Sequence, residues 1–333
     1  MRLGVAEAIV DGSVVPGDVR VQDGIVTAIG VSPAGRSGIA AAGFVDLQVN
    51  GFAGVDLLTS GLEGYRRMAD ALLATGVTAY QPTFISAPLE RYDTALAIAA
   101  QARTDIPYPR ILGVHLEGPF LSPRRVGAHD PAHLQAVSFE VVDRLLTSGE
   151  VTYMTLAPEL EEGLALVAYL VERGVVVSLG HSDANAQTSH EAYNLGARTV
   201  THLHNAQRRF SSRDPGLSGV AQTRADVVVQ AIVDGVHLAP ETVRLAWLAA
   251  RGRFALVTDA VAAAGLEDGE HRLGSQQIHK RGLEVALADG TLAGSALTMP
   301  DAVRNLVDLG ATVPEALDAA SGVPARLIGR PEL

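Results

Sequence analysis

The segment Val-Val-Val-Ser-Leu-Gly-His at residues 175–181 indicates the fold class, because it is a short apolar run that ends in glycine and a polar side chain. Helical spacing of apolar residues separates most runs of this kind, as at 62–74 and 240–250. Nearly continuous apolar strands joined by helices predict a parallel sheet buried on both faces. The other runs lie at residues 43–49, 76–82, 110–116, 151–157, 197–203, 227–233 and 254–258.

Eight such strands over roughly 220 residues predict a (β/α)8 barrel of the TIM type. A doubly wound open sheet is the alternative, and it would normally bind its ligand at a single switch point. Here polar side chains that could bind a metal ion or transfer a proton follow the third, fifth, sixth and eighth strands. Such a distribution favours the closed barrel, whose loops after the strands build one shared site.

The two ends of the chain have a different, turn-rich texture with short strand-like runs. We expect residues 1–42 and 270–333 to form one small β-sandwich domain, and residues 43–269 to form the barrel. Asp289-Gly290 between alternating runs predicts a hairpin turn, in a stretch expected to pair with residues 1–40. Helical patterns at 301–309 and 314–328 predict C-terminal helices, spanning 301–328, that return to the barrel.

Composition narrows the class of protein and its partners. The chain has 333 residues, a hydrophobic content of 47%, a net charge of −11 and no cysteine. An acidic chain repels nucleic acid and anionic membranes, so neither is an expected partner. Without cysteine there is no disulfide, thiolate nucleophile or thiolate-bound zinc. We find no secretory leader pattern and no apolar run long enough to span a membrane, and therefore expect a cytoplasmic protein.

Four polar side chains at strand ends carry the chemistry. Glu117 follows the third strand, His181 the fifth and His202 the sixth, while Asp259 follows the eighth. Two imidazoles and one carboxylate, with a position left open, form a known arrangement for a hydrolytic metal ion. Asp259 could cap a following helix, or it could take a proton from the attacking water.

The first strand argues for one metal ion per subunit. A two-metal version of such a site would show His-x-His there, whereas this chain has Gln48-Val49-Asn50. Amides are poorer ligands than imidazole for zinc-like ions. Zinc is the expected ion, and iron, manganese or cobalt are alternatives that the same ligands accept.

The motifs together make the chain similar to the N-acetylglucosamine-6-phosphate deacetylase family of the amidohydrolase superfamily. The family pattern includes His-Leu-Glu-Gly-Pro at 115–119, Thr-His-Leu-His-Asn at 201–205 and Val-Thr-Asp-Ala at 257–260. That family has a (β/α)8 barrel with a β-sandwich built from both termini. The matching segments are residues 43–51, 115–123, 127–130, 180–182, 201–206, 213–217, 234–237, 257–260 and 293–299.

The resemblance implies a role for each matching residue. Glu117, His181 and His202 correspond to the ligands of a single metal ion, and Asp259 to the general base and acid. His129 corresponds to a residue that contacts the substrate beside the reacting amide. The implied substrate-binding residues are Gln48, Ala128, His129, Asn205, Ala206, Arg213, His237 and Met299.

The resemblance also implies the reaction and the assembly. We expect hydrolysis of the acetamide of N-acetyl-D-glucosamine 6-phosphate to glucosamine 6-phosphate and acetate, in amino-sugar catabolism or cell-wall recycling. The expected partner is this phosphorylated amino sugar, and a homodimer is expected to complete the site across its interface. Gln207, Arg208 and Arg209 depart from the family pattern beside the proposed sugar pocket. A related amidohydrolase that deacylates another N-acyl amino sugar or amide is therefore the alternative.

Overall fold

The structure is a computed structural model that describes residues 1–10, 12–147 and 149–333. The chain begins with two small sheets. In the first, β1 pairs antiparallel with β2 and parallel with β5, and in the second β3 pairs antiparallel with β4. The five strands are β1 (Glu7–Val10), β2 (Ser13–Pro16), β3 (Asp18–Gln22), β4 (Ile25–Val31) and β5 (Ile39–Ala40).

Eight parallel strands then follow one another around a barrel, in the order β6-β9-β11-β12-β13-β14-β15-β16. The short strand β10 extends the pairing of β9, and β7 and β8 form a separate hairpin. The predicted (β/α)8 barrel is confirmed. The strands of this region are β6 (Phe44–Val49), β7 (Gly51–Phe52), β8 (Val55–Asp56), β9 (Val77–Phe84), β10 (Arg110–Ile111), β11 (Val114–Glu117), β12 (Val151–Leu156), β13 (Val176–Leu179), β14 (Thr199–Val200), β15 (Val228–Ala231) and β16 (Phe254–Leu256).

Helices connect the barrel strands, together with one 3₁₀ turn at Pro131–His133. The sequence pattern did not predict the helix Gly216–Thr223, because its two glycines are poor helix formers and its burial provides the missing stability. Within the described residues, no helix has the length and apolar character needed to cross a bilayer. The helices are α1 (Leu62–Ala74), α2 (Leu89–Asp105), α3 (Phe139–Leu146), α4 (Gly163–Glu172), α5 (Ala186–Asn194), α6 (Gly216–Thr223) and α7 (Pro240–Ala249).

The C-terminal part forms a sheet of its own and three further helices. Its strands pair only with one another in the described ladders, so the expected strand pairing with residues 1–40 is not present. The single helix expected at 314–328 is divided at Ser321, whose backbone is not helical. That residues 1–42 and 270–333 form one domain stays a prediction. The elements are β17 (Gly269–Leu273), β18 (Gln276–Arg281), β19 (Glu284–Ala286), α8 (Met299–Asp308), α9 (Val313–Ala320) and α10 (Gly322–Leu327).

A few backbone and side-chain hydrogen bonds, rather than a full strand ladder, close the barrel between its last and first strands. The backbone amides of Asn50 and Gly51 donate to the carbonyl of Ala260, at 2.8 and 3.0 Å. Below them, the Thr258 hydroxyl donates to Oδ2 of the buried Asp46 at 2.5 Å. Helices α9 and α10 pack over this seam, against β6 and β16. Strand β6 is thereby fixed beside the segment that follows β16.

Substituting Thr258 with valine is expected to destabilise the protein by about 2 kcal/mol, because a buried carboxyl group would lose its hydroxyl donor. Burial raises the pKa of Asp46 to about 6, so the group is largely ionised at pH 8 and needs that donor. Chemical denaturation of the metal-free protein at pH 8 measures the loss. Thr258→Ser keeps the hydroxyl and is the matched control. Equal stability of Thr258→Val and the unsubstituted protein would contradict the proposed closure.

A chain of buried hydrogen bonds runs beneath the mouth of the barrel. Nδ1 of His115 faces the Leu47 carbonyl at 3.2 Å, so this nitrogen carries the proton and Nε2 accepts from Thr155 at 2.7 Å. The Thr155 hydroxyl then accepts from Thr201 at 2.8 Å, and Thr201 accepts from Ser178 at 2.5 Å. All four donors therefore point in one direction. This chain fixes the strands that carry the site residues above it.

Candidate metal centre and active site

The three predicted metal ligands and the predicted general base lie at the same end of the barrel. Glu117 is the last residue of β11, and His181 and His202 each lie two residues beyond a strand, β13 and β14. Asp259 lies three residues beyond β16. Because parallel strands end on one face of a barrel, segments distant in sequence converge there. All four side chains are buried.

The nitrogen and oxygen atoms of three of these side chains are in contact. Nε2 of His202 lies 2.8 Å, and Nε2 of His181 3.1 Å, from Oε1 of Glu117. The two Nε2 atoms are 3.1 Å apart. His129 is a fourth neighbour, with Nε2 3.9 Å from Oε2 of Glu117, and it can reach the same ion position as Glu117 and His181. The contacts of His202 make it the stronger third ligand candidate.

This arrangement fits a divalent metal ion. Nδ1 of His181 donates to the carbonyl of Arg125 at 2.9 Å, so the lone pair of its Nε2 points at the cluster. Burial alone would raise the pKa of Glu117, but its contacts with His181 and His202 lower that pKa well below its usual range. Two imidazole nitrogens and an ionised carboxylate at such short distances can bind one cation between them. The donor set is that of a catalytic zinc-type site.

Asp259 is held beside this cluster by two elements from other parts of the chain. Its Oδ1 accepts from Nδ2 of Asn50 at 2.6 Å. Its carbonyl accepts from the amide of Ser295 at 2.9 Å, and a Cβ on Gly294 would lie only 2.8 Å from the same oxygen. Burial, followed by the charge of Glu117, raises the pKa of Asp259 to about 8. A carboxyl group of this kind can exchange a proton near neutral pH.

The backbone at the site is held in an unfavourable conformation. His181, His202 and Asp259 have φ angles of 45°, 29° and 51°, and His204 and Ala206 are also in the left-handed region. Such conformations cost about 1–3 kcal/mol each in non-glycine residues, so surrounding packing must impose them. They turn each side chain away from its strand and toward the shared centre. Backbone strain of this kind is common at active sites and ligand-binding sites.

A cavity of about 260 Å³ opens above the cluster. Its polar lining includes the cluster of Glu117, His181 and His202, and apolar side chains supply part of its wall. No arginine or lysine lines it among the described residues. The lining residues are Asn50, Ile85, Glu117, Gly127, Ala128, His129, His181, His202, Asn205, Ala206, Ile232, His237, Asp259, Leu273, Thr291, Leu292 and Gly294.

The predicted substrate-binding residues divide into two groups. Ala128, His129, Asn205, Ala206 and His237 line the cavity. The other three lie outside its lining: Gln48 is buried in the barrel and its amide has no partner among the residues that the structure describes, Arg213 is exposed in the loop before α6, and Met299 is buried at the start of α8.

Two histidines in the cavity have their free nitrogen defined by their neighbours. The amide of Ser86 donates to Nδ1 of His129 at 3.2 Å, so Nε2 of His129 carries the proton. Burial lowers the pKa of His129 to about 3, which keeps the ring neutral. Nδ1 of His237 lies 2.7 Å from Oδ2 of Asp234 and donates to it. Both rings are therefore fixed, with Nε2 left to contact a ligand.

The three residues that depart from the family pattern do not line the cavity. Gln207 is buried; its amide donates to the Thr201 carbonyl at 2.8 Å and accepts from the His204 amide at 3.1 Å. Arg208 pairs with Asp214 at 2.9 Å, and Arg209 is exposed. Gln207 and Arg208 thus hold the loop after β14 in place.

Sequence reasoning missed several residues of the site. Asn50 had been considered only as a weak metal ligand, whereas it binds Asp259. Its position directly after the apolar run of β6 is a usable signal, because the residues that follow parallel strands meet on one face of a barrel. Ser295 lies in the matching segment 293–299 without a role assigned to it, and the apolar wall residues Leu273 and Leu292 give no signal, since their place depends on how the C-terminal segments pack against the barrel.

The barrel and its His/Glu cluster define the class as a metal-dependent hydrolase of the (β/α)8 type. The amidohydrolase family profile matches residues 39–333. The chain belongs to the amidohydrolase family and, within it, to the N-acetylglucosamine-6-phosphate deacetylases.

Individual relatives agree with this placement. The N-acetylglucosamine-6-phosphate deacetylase of Bos taurus is 39% identical over 306 residues, covering 87% of this chain and 75% of the relative. The N-acetylgalactosamine-6-phosphate deacetylase of Escherichia coli O157:H7 is 34% identical, covering 93% and 85%. The crystal structure of N-acetylglucosamine-6-phosphate deacetylase from Pasteurella multocida matches with a TM-score of 0.92 and 30% identity, covering 100% of this chain and 91% of that chain.

Proposed function

We propose that the protein hydrolyses the acetamide of N-acetyl-D-glucosamine 6-phosphate to glucosamine 6-phosphate and acetate. The observation that carries the proposal is that Glu117, His181 and His202 meet within 3.1 Å at the floor of a cavity that Asp259 also lines. The curated relatives and the Pasteurella structure support the same reaction. The role in amino-sugar catabolism or cell-wall recycling, and a cytoplasmic location, belong to the proposal.

In this proposal Glu117, His181 and His202 hold one divalent ion, zinc by expectation, with iron, manganese or cobalt as alternatives. When bound, such an ion supplies Lewis acidity, polarising an amide carbonyl and acidifying water. The residues after the first strand support a single ion, because the amide of Asn50 is hydrogen-bonded to Asp259. Metal analysis that found two tightly held ions per chain would contradict it.

The protein's own groups carry the proton transfers. Asp259 takes a proton from the attacking water and passes it to the nitrogen of the leaving amine. Asn50 keeps its carboxylate oriented during both steps. Nε2–H of the neutral His129 donates to the oxygen on which negative charge develops, which stabilises the transition state. Burial of these groups excludes bulk water from the reacting amide.

Phosphate recognition is assigned to the opposite part of the cavity. His237, fixed by Asp234, presents Nε2, and Asn205 and Ala206 line the same cavity. A dianion also needs cationic donors, and the cavity contains no arginine or lysine from the described residues. We therefore propose that Arg213, exposed in its loop, serves the site of a second subunit in a homodimer.

A substrate panel tests the proposed function. We expect kcat/KM for the unphosphorylated sugar to be at least about 100-fold below that for N-acetyl-D-glucosamine 6-phosphate, because charge-assisted hydrogen bonds to the phosphate are lost. The galacto epimer is the second candidate substrate, since the Escherichia coli relative is named for it. Acetate release measures each rate. A higher kcat/KM for the galacto epimer, or no preference for the phosphate, would contradict the assignment.

A further inference from the structure

The loop at residues 122–127 encloses the proposed metal ligand His181. The amide of Ser122 donates to the carbonyl of His181 at 2.9 Å, and Nδ1 of His181 donates to the carbonyl of Arg125 at the same distance. A Cβ on Gly127 would lie 2.9 Å from Cε1 of the ring, so only glycine fits there. One irregular loop therefore determines where this imidazole lies and which nitrogen it offers to the ion.

The side chain of Arg125 ties that loop to the segment that carries His181. Its Nε and Nη2 both contact Oδ1 of Asp183, at 2.8 and 2.6 Å. Asp183 is itself held, because its amide donates to Oε1 of Glu159 at 2.5 Å. The Asp183 side chain is only 11% exposed, so its contact with Arg125 is largely shielded from solvent.

We propose that the Arg125–Asp183 ion pair is a positioning device that sets the metal affinity of His181. The carbonyl of Arg125 fixes the tautomer of the His181 ring. The guanidinium of Arg125 pairs with Asp183, which lies two positions beyond His181 in the chain. A loop outside helices and strands has no backbone ladder to hold its carbonyl in place, so the ion pair provides this constraint. Acceptors behind metal-binding histidines orient the ring and raise its basicity. The inference rests on the metal site of the proposed function.

Metal affinity, measured apart from turnover, tests the inference. Arg125→Gln and Asp183→Asn are each expected to weaken Zn²⁺ binding about 10–100-fold, the range for partners behind a ligand. Arg124→Gln is the matched control, because Arg124 contacts the same aspartate at 3.4 Å but is 80% exposed. Its affinity should change by less than about twofold. Competition with a chromophoric chelator gives the dissociation constants.

Further variants separate positioning from loss of folding. Arg125→Lys keeps the charge with fewer donors and should bind Zn²⁺ with intermediate affinity. The double variant Arg125→Gln/Asp183→Asn should lose no more Zn²⁺ affinity than the single variant with the larger loss, since the two residues act as one unit. Unfolding of the metal-free proteins provides the folding control, and affinities are compared among variants that retain the cooperative transition.

Three results would overturn the inference in distinguishable ways. Normal Zn²⁺ affinity in Arg125→Gln, with an unsubstituted protein that binds one ion, would refute the positioning role alone. An unsubstituted protein that binds no divalent ion would refute the metal site and the proposed function with it. Additive losses in the double variant would show two independent effects and would also overturn the pairing.

Discussion

Replacing Asp259 with asparagine is expected to lower kcat by about 10³-fold or more, because the site loses the group that accepts and returns the proton. The fold should survive. The amide is nearly the same size, and burial already favours the uncharged form of this side chain. The hydrogen bond from Asn50 can remain, since the amide keeps an acceptor oxygen. Acetate release, metal content and the unfolding transition are the measurements.

The pH dependence of stability supplies a control for the same variant. The folded pKa of Asp259, about 8, exceeds the ordinary value of 3.8, so the folded metal-free protein binds this proton more tightly than the unfolded chain. Its contribution is therefore complete below pH 4 and is lost as the pH rises through 8. Asp259→Asn should flatten that decline in the metal-free protein. Turnover within tenfold of the unsubstituted enzyme would exclude Asp259 as the base.

Replacing Glu117 with glutamine is expected to weaken Zn²⁺ binding by more than about 100-fold, beyond the range for residues that only support a ligand. The carboxylate contacts both His181 and His202, so its charge is what draws a cation between the two rings. Turnover should fall with the loss of the ion and should recover only partly at high Zn²⁺. Chelator competition and metal analysis measure the change directly.

Thermal unfolding distinguishes this loss from a general effect of removing a carboxylate. A bound ion stabilises the folded state by mass action, so chelation should lower the Tm of the unsubstituted protein. Glu117→Gln should show almost the same Tm with and without metal. Glu315→Gln is the control, because Glu315 caps helix α9 outside the cavity and should leave the chelation effect intact. An ion-dependent Tm in Glu117→Gln would refute Glu117 as a ligand.

Much of the fold could be predicted because burial on both faces leaves a simple pattern. The eight barrel strands are apolar runs, and the helical spacing at 62–74 and 240–250 corresponds to helices α1 and α7. Helix α6 was missed because packing against the barrel, rather than propensity, stabilises its glycine-containing sequence. The division of the last helix at Ser321 was missed although Gly322 and Pro324 follow it directly, a pattern that is typical of a helix end.

The chemical residues could be predicted because they follow apolar runs directly. In a parallel barrel, such positions must lie on one face, so Glu117, His181, His202 and Asp259 were expected near one another from order alone. The sequence could not show that Arg213 lies outside the cavity of its own chain or that Met299 is packed at the start of α8. Neither position follows from periodicity.

The sequence by itself determined the barrel, the order of its strands and the ligand types available at their ends, because these depend on local patterns of burial. Only the tertiary structure decided how each group is aimed. Contacts between segments distant in the chain impose the positive φ angles of His181, His202 and Asp259, direct Nδ1 of His181 to Arg125, and place Asn50 against Asp259. Such contacts leave no periodic trace in the sequence, since they arise only when separate loops are brought together by closure of the barrel.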